Sequence, residues 1–311
     1  MNKIVKPYRP NLKAYISNLI VFILAILIIT SCISTKDNIK KQKTTFLWKV
    51  TSGSTNVFLL GSIHLASKDI YPLNPEIEKA FSKSAVLVVE VDVEKNNGFD
   101  MIFSMMDRIS YPPGESLKTN ISKELYGLLK EELGKMGFDI TMFNTLKPWV
   151  IAFLIETIQL TELGYKPEYG IDIHFLNKAR GSKVIEELET LDYQLSLFED
   201  LPNNIQVLYL NYTLTSMENR EQYLTQIFNF WKTGKTKQLE DILLDDLNEN
   251  PELEVFYEKI LFKRNKNMVV KIEEYLKSDK ICFIVVGAAH LVGDRGIVDI
   301  LKKKGYSAIQ Y

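Results

Sequence analysis

Two copies of Gly-x-x-His, each directly behind a short apolar run, constrain this chain more than any other feature. Val57-Phe58-Leu59-Leu60 leads into Gly61-Ser62-Ile63-His64, and Cys282-Phe283-Ile284-Val285-Val286 leads into Gly287-Ala288-Ala289-His290. An apolar, β-branched run of that length reads as a buried strand. Glycine then lets the backbone turn or approach another group closely, which leaves the histidine at the strand's end. Ligands and catalytic groups of open α/β sheets gather outside the carboxyl ends of strands. The chain has 3 histidines, so two in such equivalent contexts read as parts of one site.

The rest of the pattern predicts an α/β fold: a central mixed β-sheet built from N- and C-terminal strands, with a largely helical middle segment. Residues 46–52 and 56–63 read as a hairpin turning at Gly53-Ser54. Asn74-Pro75-Glu76 starts a helix to about Ser82, with asparagine as cap, proline at the first helical position and acids opposing the dipole. Val86 to Val93 reads as the next strand. Residues 98–278 are helical in pattern apart from one strand at Lys183 to Glu187. Late strands are expected at Ile281 to Val286 and Ser307 to Tyr311, with a helix between Gly293 and Lys303.

The N-terminal segment stands apart from this fold. Lys3, Lys6, Arg9 and Lys13 form a basic start without an acid, an apolar stretch runs from Leu19 to Ile29, and Thr30-Ser31-Cys32 follows. That is the signal-peptide pattern. Small residues before a cysteine make Ile29-Thr30-Ser31-Cys32 resemble a bacterial lipobox, which implies lipid on Cys32 after cleavage. An uncleaved anchor is the alternative, although the apolar run is shorter than the roughly 20 residues of a spanning helix. The expected organisation is therefore 1–31 as a lipoprotein signal peptide, 32–45 as a polar tether and 46–311 as one domain. The expected location is the cell envelope, lipid-anchored to a bacterial membrane.

Without the leader's four basic residues, 34 of the chain's 38 basic residues face 39 acidic ones, a net charge near −5. A balance of that sign argues against a nucleic-acid partner, which needs a basic surface. If Cys32 is lipidated, only Cys282 of the 2 cysteines remains, and it reads as a small core residue.

Glu90 is the third residue that draws attention, because it interrupts an apolar run. A carboxylate at the end of a buried strand needs a partner, since desolvating a lone charge costs several kcal/mol. A metal ion, a protonated neighbour or a lysine would each satisfy it, unless Glu90 simply marks where the strand leaves the core. Two histidines and a carboxylate form a familiar ligand set, although their spacing here is long. Asp172, after Gly170-Ile171, reads either as a helix cap, as support for a ligand, or as a ligand itself. His174 lacks an i+4 partner and reads as a satisfied surface or core histidine. Glu189 is expected to begin or cap a helix, and Gln194 to orient a substrate or a neighbouring side chain. The aromatics of Ile227-Phe228-Asn229-Phe230-Trp231 read as core packing.

The run GSIHLASKDIYPLNPEIEKAFSKSAVLVVEVDV resembles the opening of the TraB/GumN family, in which a GxxH loop precedes a Tyr-Pro-Leu helix and a strand carrying an acid. Tyr169-Gly170-Ile171-Asp172, Ala179-Arg180-Gly181-Ser182-Lys183, Leu188-Glu189-Thr190 and Gln194 resemble its central pattern, and Lys147-Pro148-Trp149 fits before the central helix. VGAAHLVGDRGIVDILKKKGY resembles its closing GxxH block. The resemblance covers residues 46–311 and implies an α/β fold with both GxxH loops at one sheet edge. It includes the Tiki metal-dependent proteases and, more widely, haem-binding lipoproteins. Carried onto this chain, it points to His64, Glu90 and His290 as the principal positions. Gly61, Gly287, Asp172, Glu189 and Gln194 are the supporting ones.

These readings lead to a membrane-tethered, metal-dependent hydrolase acting on a peptide or protein amide bond. His64 and His290 are expected to hold a divalent cation beside an activated water, with Glu90 as the catalytic carboxylate or, alternatively, as a further ligand. Mixed nitrogen and oxygen donors do not distinguish manganese, cobalt and zinc. The alternative is a non-catalytic binding lipoprotein that sequesters a peptide or haem in the same pocket. Substrate, oligomeric state and choice of inner or outer membrane are not readable from the residues.

Overall fold

The computed structural model describes residues 44–53, 55–93, 95, 105–216 and 220–311. The leader, Cys32 and the tether as far as residue 43 lie outside the described residues. No helix among the described residues is long and apolar enough to cross a membrane.

Six strands form one sheet: β1 (Leu47–Ser52), β2 (Thr55–Ser62), β3 (Val86–Val89), β4 (Val184–Glu187), β5 (Cys282–Gly287) and β6 (Ser307–Gln310). Their order is β4-β3-β5-β2-β1-β6. β5, from near the end of the chain, lies between β2 and β3 and runs parallel to both. β4 extends the parallel set beyond β3, whereas β1 is antiparallel to β2 and to β6. The mixed α/β architecture read from the sequence is therefore the observed one. The carboxyl ends of β2, β3, β4 and β5 open on a single edge, where His64, Glu90, Glu189 and His290 follow them.

Local chemistry explains most element boundaries. The β1–β2 hairpin pairs Ser52 with Thr55 around Gly53, whose φ of 56° is readily adopted only by glycine. Helix α1 (Pro75–Lys83) begins as expected: Asn74 caps it by accepting from the Glu76 N–H, and Pro75 occupies the first position. β3 and β5 are buried along their whole length, as parallel strands covered on both faces must be.

Two boundaries differ from expectation. The strand expected to run to Val93 ends at Val89, so Glu90 follows the strand rather than interrupting it. Beyond that point the Asp92 N–H donates to the Glu187 carboxylate (2.7 Å) instead of a neighbouring strand, which ends the ladder. The late helix, α10 (Ile297–Lys303), starts at Ile297 rather than Gly293. Gly293, with φ of 82°, opens a turn closed by the Gly296 N–H on its carbonyl (3.0 Å).

The middle of the chain is helical. Its main helices are α2 (Lys123–Lys135), α3 (Pro148–Glu162), α4 (Ile171–Ala179), α5 (Leu191–Glu199), α6 (Asn203–Thr215), α7 (Arg220–Lys232), α8 (Thr236–Glu249) and α9 (Lys263–Lys277). α3 is buried on every side over its first eleven residues, the signature of a helix through the centre of a core. Its Trp149 and Phe153 pack with Phe198, and Phe153 with Tyr209. Phe81, Phe175 and Phe283 join α1, α4 and β5 in a second aromatic cluster. The expected core role of the Ile227–Trp231 segment holds for Ile227 and Trp231, which are buried.

Candidate active site

Each GxxH glycine makes room for something specific. A Cβ on Gly61 would stand 2.5 Å from the Phe46 ring and 3.1 Å from the Ala288 backbone, so this glycine lets β2 run against its neighbours. Its carbonyl accepts from the Trp231 indole N–H at 2.7 Å. A Cβ on Gly287 would instead lie 3.4 Å from Glu90 Oε1, 3.4 Å from His290 Cδ2 and 3.5 Å from His64 Nε2. Residues from three strand ends thus meet around one glycine, although 226 residues of chain separate the two histidines.

Glu90 is the most heavily held of the three. The Gly287 N–H donates to its Oε1 at 2.6 Å. Its Oε2 accepts from Gln194 Nε2 at 3.1 Å and from the Arg264 guanidinium. Burial alone would raise the pKa of this carboxyl. Arg264, the two imidazoles and the Gly287 N–H outweigh that effect and hold it well below the usual carboxylate range.

Arg264 also binds Glu189, through Nε at 3.1 Å and Nη2 at 2.7 Å, and Gln194 bridges to the same carboxylate at 2.8 Å. Two acids, one guanidinium and one amide therefore form a closed, buried network. Glu189 does not cap a helix as expected. Thr190 caps α5 by accepting from the Tyr193 N–H, because the ladder bond from the Glu189 N–H to the Glu90 carbonyl (2.9 Å) points the Glu189 side chain into the core.

The two histidines are supported differently. His64 Nδ1 lies 2.6 Å from Asp172 Oδ2, and the same oxygen accepts from the Ser62 hydroxyl. Burial opposes protonation of His64, but Asp172 and then Glu90 outweigh it and raise its pKa. His290 Nδ1 lies 2.5 Å from Asn265 Oδ1, with its Nε2 3.7 Å from Glu90 Oε1. Burial, reinforced by the Arg264 charge, pushes its pKa down to about 3, so His290 is neutral at ordinary pH.

Asp172 does not cap a helix. The N-cap of α4 is Gly170, and the Asp172 carboxylate is directed at Ser62 and His64. Gly170 brings α4 against the first histidine loop: a Cβ there would stand 2.2 Å from the His64 carbonyl oxygen, and the Ile171 N–H donates to the Ile63 carbonyl at 3.1 Å. His174 lies apart, against Glu78 at 3.3 Å and the Tyr71 ring, the satisfied histidine expected.

The sequence model of the TraB/PrgY/gumN family matches residues 46–310. The chain belongs to this family. Among curated TraB/PrgY/gumN relatives, the uncharacterized protein YbaP of Escherichia coli is 29% identical over 251 residues, covering 80% of this chain and 89% of its own. Metalloprotease TIKI1 of Xenopus tropicalis is 21% identical over 321 residues, covering 87% of this chain and 62% of its own. Metalloprotease TIKI2 of the same organism is 22% identical over 313 residues, covering 84% of this chain and 58% of its own. The chain thus spans about three fifths of the length of these two metalloproteases. No solved structure matches it.

The metal that the word metalloprotease implies for those two relatives can be tested against the donors in this TraB/PrgY/gumN chain. With Nδ1 of each histidine engaged by Asp172 or Asn265, both Nε2 atoms remain on the side of Glu90 and Gly287. Metal-binding histidines characteristically show this arrangement, with one ring nitrogen held by a carboxylate or carbonyl oxygen. The space that a side chain at Gly287 would fill lies among the donors. The two imidazoles fit a divalent cation in kind. Glu90 can offer only Oε1, and among the described residues no three His, Cys, Asp or Glu side chains form a ready ligand group.

Sequence reasoning missed Arg264, Asn265 and Ser62. A signal for the first two was present. Met268, Val269, Ile272 and Leu276 form the buried stripe of α9, and Arg264 and Asn265 sit one turn earlier on it. Polar side chains on an apolar stripe require partners.

Proposed function

We propose that this chain is a metal-dependent hydrolase cleaving a peptide or protein amide bond at the edge where β2, β3 and β5 end. The observation that carries this reading is the convergence of His64 Nε2, His290 and Glu90 Oε1 around Gly287, with each imidazole held from behind. The likeness to the TIKI metalloproteases supports the reaction class. His64 and His290 would hold the divalent cation, which supplies an activated water when bound. Manganese, cobalt and zinc all suit such donors.

Within the protein, Asp172, itself held by the Ser62 hydroxyl, holds the His64 ring, and Asn265 holds that of His290. Arg264 and Gln194 hold one oxygen of Glu90 and leave the other facing the centre. We therefore assign Glu90 to ligation and orientation. We further propose that Cys32 is lipidated and tethers the domain to a bacterial membrane. The leader pattern supports that proposal, and the mass of the membrane-extracted chain tests it.

The decisive experiment measures metal content and affinity of the full-length protein in detergent, beside a His64→Ala/His290→Ala variant. Near-stoichiometric metal that disappears in the folded double variant supports the reading, and a peptide-library screen then looks for turnover. Metal uptake unaffected by the variant, or none at all, overturns it. Metal uptake without turnover turns the site into one for sequestering a peptide or haem.

A further inference from the structure

Asn265 has no surface exposure, and both ends of its amide are committed. Its Nδ2 donates to the Arg295 carbonyl at 2.9 Å, so its Oδ1 is the atom that meets His290 Nδ1. An amide oxygen can only accept, and the nitrogen opposite it must therefore carry the proton. A neutral imidazole protonated at Nδ1 has its lone pair at Nε2, the nitrogen on the Glu90 side. His290 is only 3% exposed, which leaves little access for water to exchange the two tautomers.

The helix is built to deliver this contact. The chain is helical from Glu254 to Lys277, with a π turn over Glu258–Phe262 immediately before α9. A π turn inserts one residue and rotates the helix beyond it, and such turns are frequent at functional sites. Arg264 Nη1 donates back to the Ile260 carbonyl within that turn at 3.0 Å. Two consecutive residues consequently face the centre, one directed at the acids and the other at His290.

We propose that Asn265 is a positioning residue that locks His290 in the tautomer protonated at Nδ1, so that the Nε2 lone pair faces His64 and Glu90. The value of this lock to catalysis rests on the hydrolase reading, whereas the lock itself does not. His64 differs because its Nδ1 faces a carboxylate. A carboxylate favours the charged ring, which a neutral amide oxygen does not, so the two GxxH histidines are not interchangeable.

The test uses the full-length protein labelled with [15N]histidine, in detergent and stripped of metal by a chelator. With 3 histidines in the chain, long-range proton–nitrogen correlation spectra resolve each ring, and His290→Gln identifies its signal by deleting it. The expected wild-type pattern is a protonated Nδ1 and a bare Nε2 at His290. Asn265→Leu should move the proton to Nε2 or give a mixture, and Asn265→Asp, which keeps an acceptor, should restore the wild-type tautomer. A wild-type His290 protonated at Nε2 or at both nitrogens overturns the proposal, as does a folded Asn265→Leu with the tautomer unchanged. If Asn265→Leu does not fold, the wild-type spectrum and Asn265→Asp decide.

Zinc affinity measured on the same samples separates this inference from the hydrolase reading. Asn265→Leu is expected to bind roughly 10–100-fold more weakly, as when such supporting partners are lost elsewhere. The expected tautomer with no zinc, manganese or cobalt uptake by wild type removes the hydrolase reading and leaves the lock in place. Metal uptake with the opposite tautomer does the reverse.

Discussion

The guanidinium of Arg264 lies against the carboxylate of Glu90 in the interior, the two side chains being 8% and 7% exposed. The same guanidinium meets Glu189 at 2.7 Å. One cation therefore stands between two buried acids, with Gln194 closing the remaining side. Such a network rigidifies a site when all its members are satisfied and becomes costly when one is removed.

Arg264→Met should accordingly destabilise the fold by about 3–5 kcal/mol, because it leaves buried carboxylates without their cation. Arg264→Lys should recover only part of the loss, since an ammonium cannot fork to both acids. Urea unfolding of the three proteins checks the order. Equal midpoints would show that the network contributes nothing to stability.

Acid should weaken the protein through Glu90. Its carboxyl is held at about 2, below its ordinary value of 4.5. Between those values the unfolded chain binds more protons than the folded one, so stability falls as pH falls. The contribution is complete above about pH 4.5 and is lost towards pH 2, on the order of 3 kcal/mol. Thermal unfolding across that window should show a shallower acid limb in Glu90→Gln than in wild type.

The two GxxH glycines should separate folding from binding. Gly61→Ala forces a methyl to 2.5 Å from the Phe46 ring and should cost about 1–3 kcal/mol of stability, as overpacking does. Gly287→Ala places its methyl at ordinary contact distance from Glu90, His290 and His64. That variant should fold normally and lose metal binding. Calorimetry for stability and titration for affinity distinguish the two.

Asp172→Asn should weaken metal binding by roughly 10–100-fold while leaving the fold intact, because it removes the carboxylate behind His64. The side chain is only 17% exposed, so a circular dichroism melt belongs beside the titration. Full affinity in the variant would exclude a supporting role for Asp172.

Cys282 should be inert in the native protein. Burial pushes its thiol up to about 11, and the thiolate is the reactive form. An alkylating reagent at pH 8 should leave it unmodified until denaturant is added, as mass spectrometry would show.

Much of the sheet was legible because it is written in local pattern. Apolar runs of strand length, Asn74-Pro75 before a helix and Gly53 in a hairpin act within a few residues of themselves, and each element formed where its pattern lies. The end of β3 was less legible: alternation alone cannot show that the Asp92 N–H turns to the Glu187 side chain. Glu189 was misread for a related reason. Its position before Thr190 looks like a cap, and only the pairing of its backbone with Glu90 turns the side chain inward.

The sequence by itself determined which residues stand at strand ends, because strand periodicity and glycine operate locally. It thereby determined that His64 and His290 follow equivalent strands, whereas the end of β3 just before Glu90 emerged only in the structure. Only the tertiary structure decided that β5 inserts between β2 and β3 and brings them together. It also chose their partners: Arg264 for Glu90, 174 residues away, and Asn265 for His290, 25 residues away. Those choices have no local signal. An exposed carboxylate or imidazole is satisfied by water, and the need for one particular partner arises only when folding removes that water.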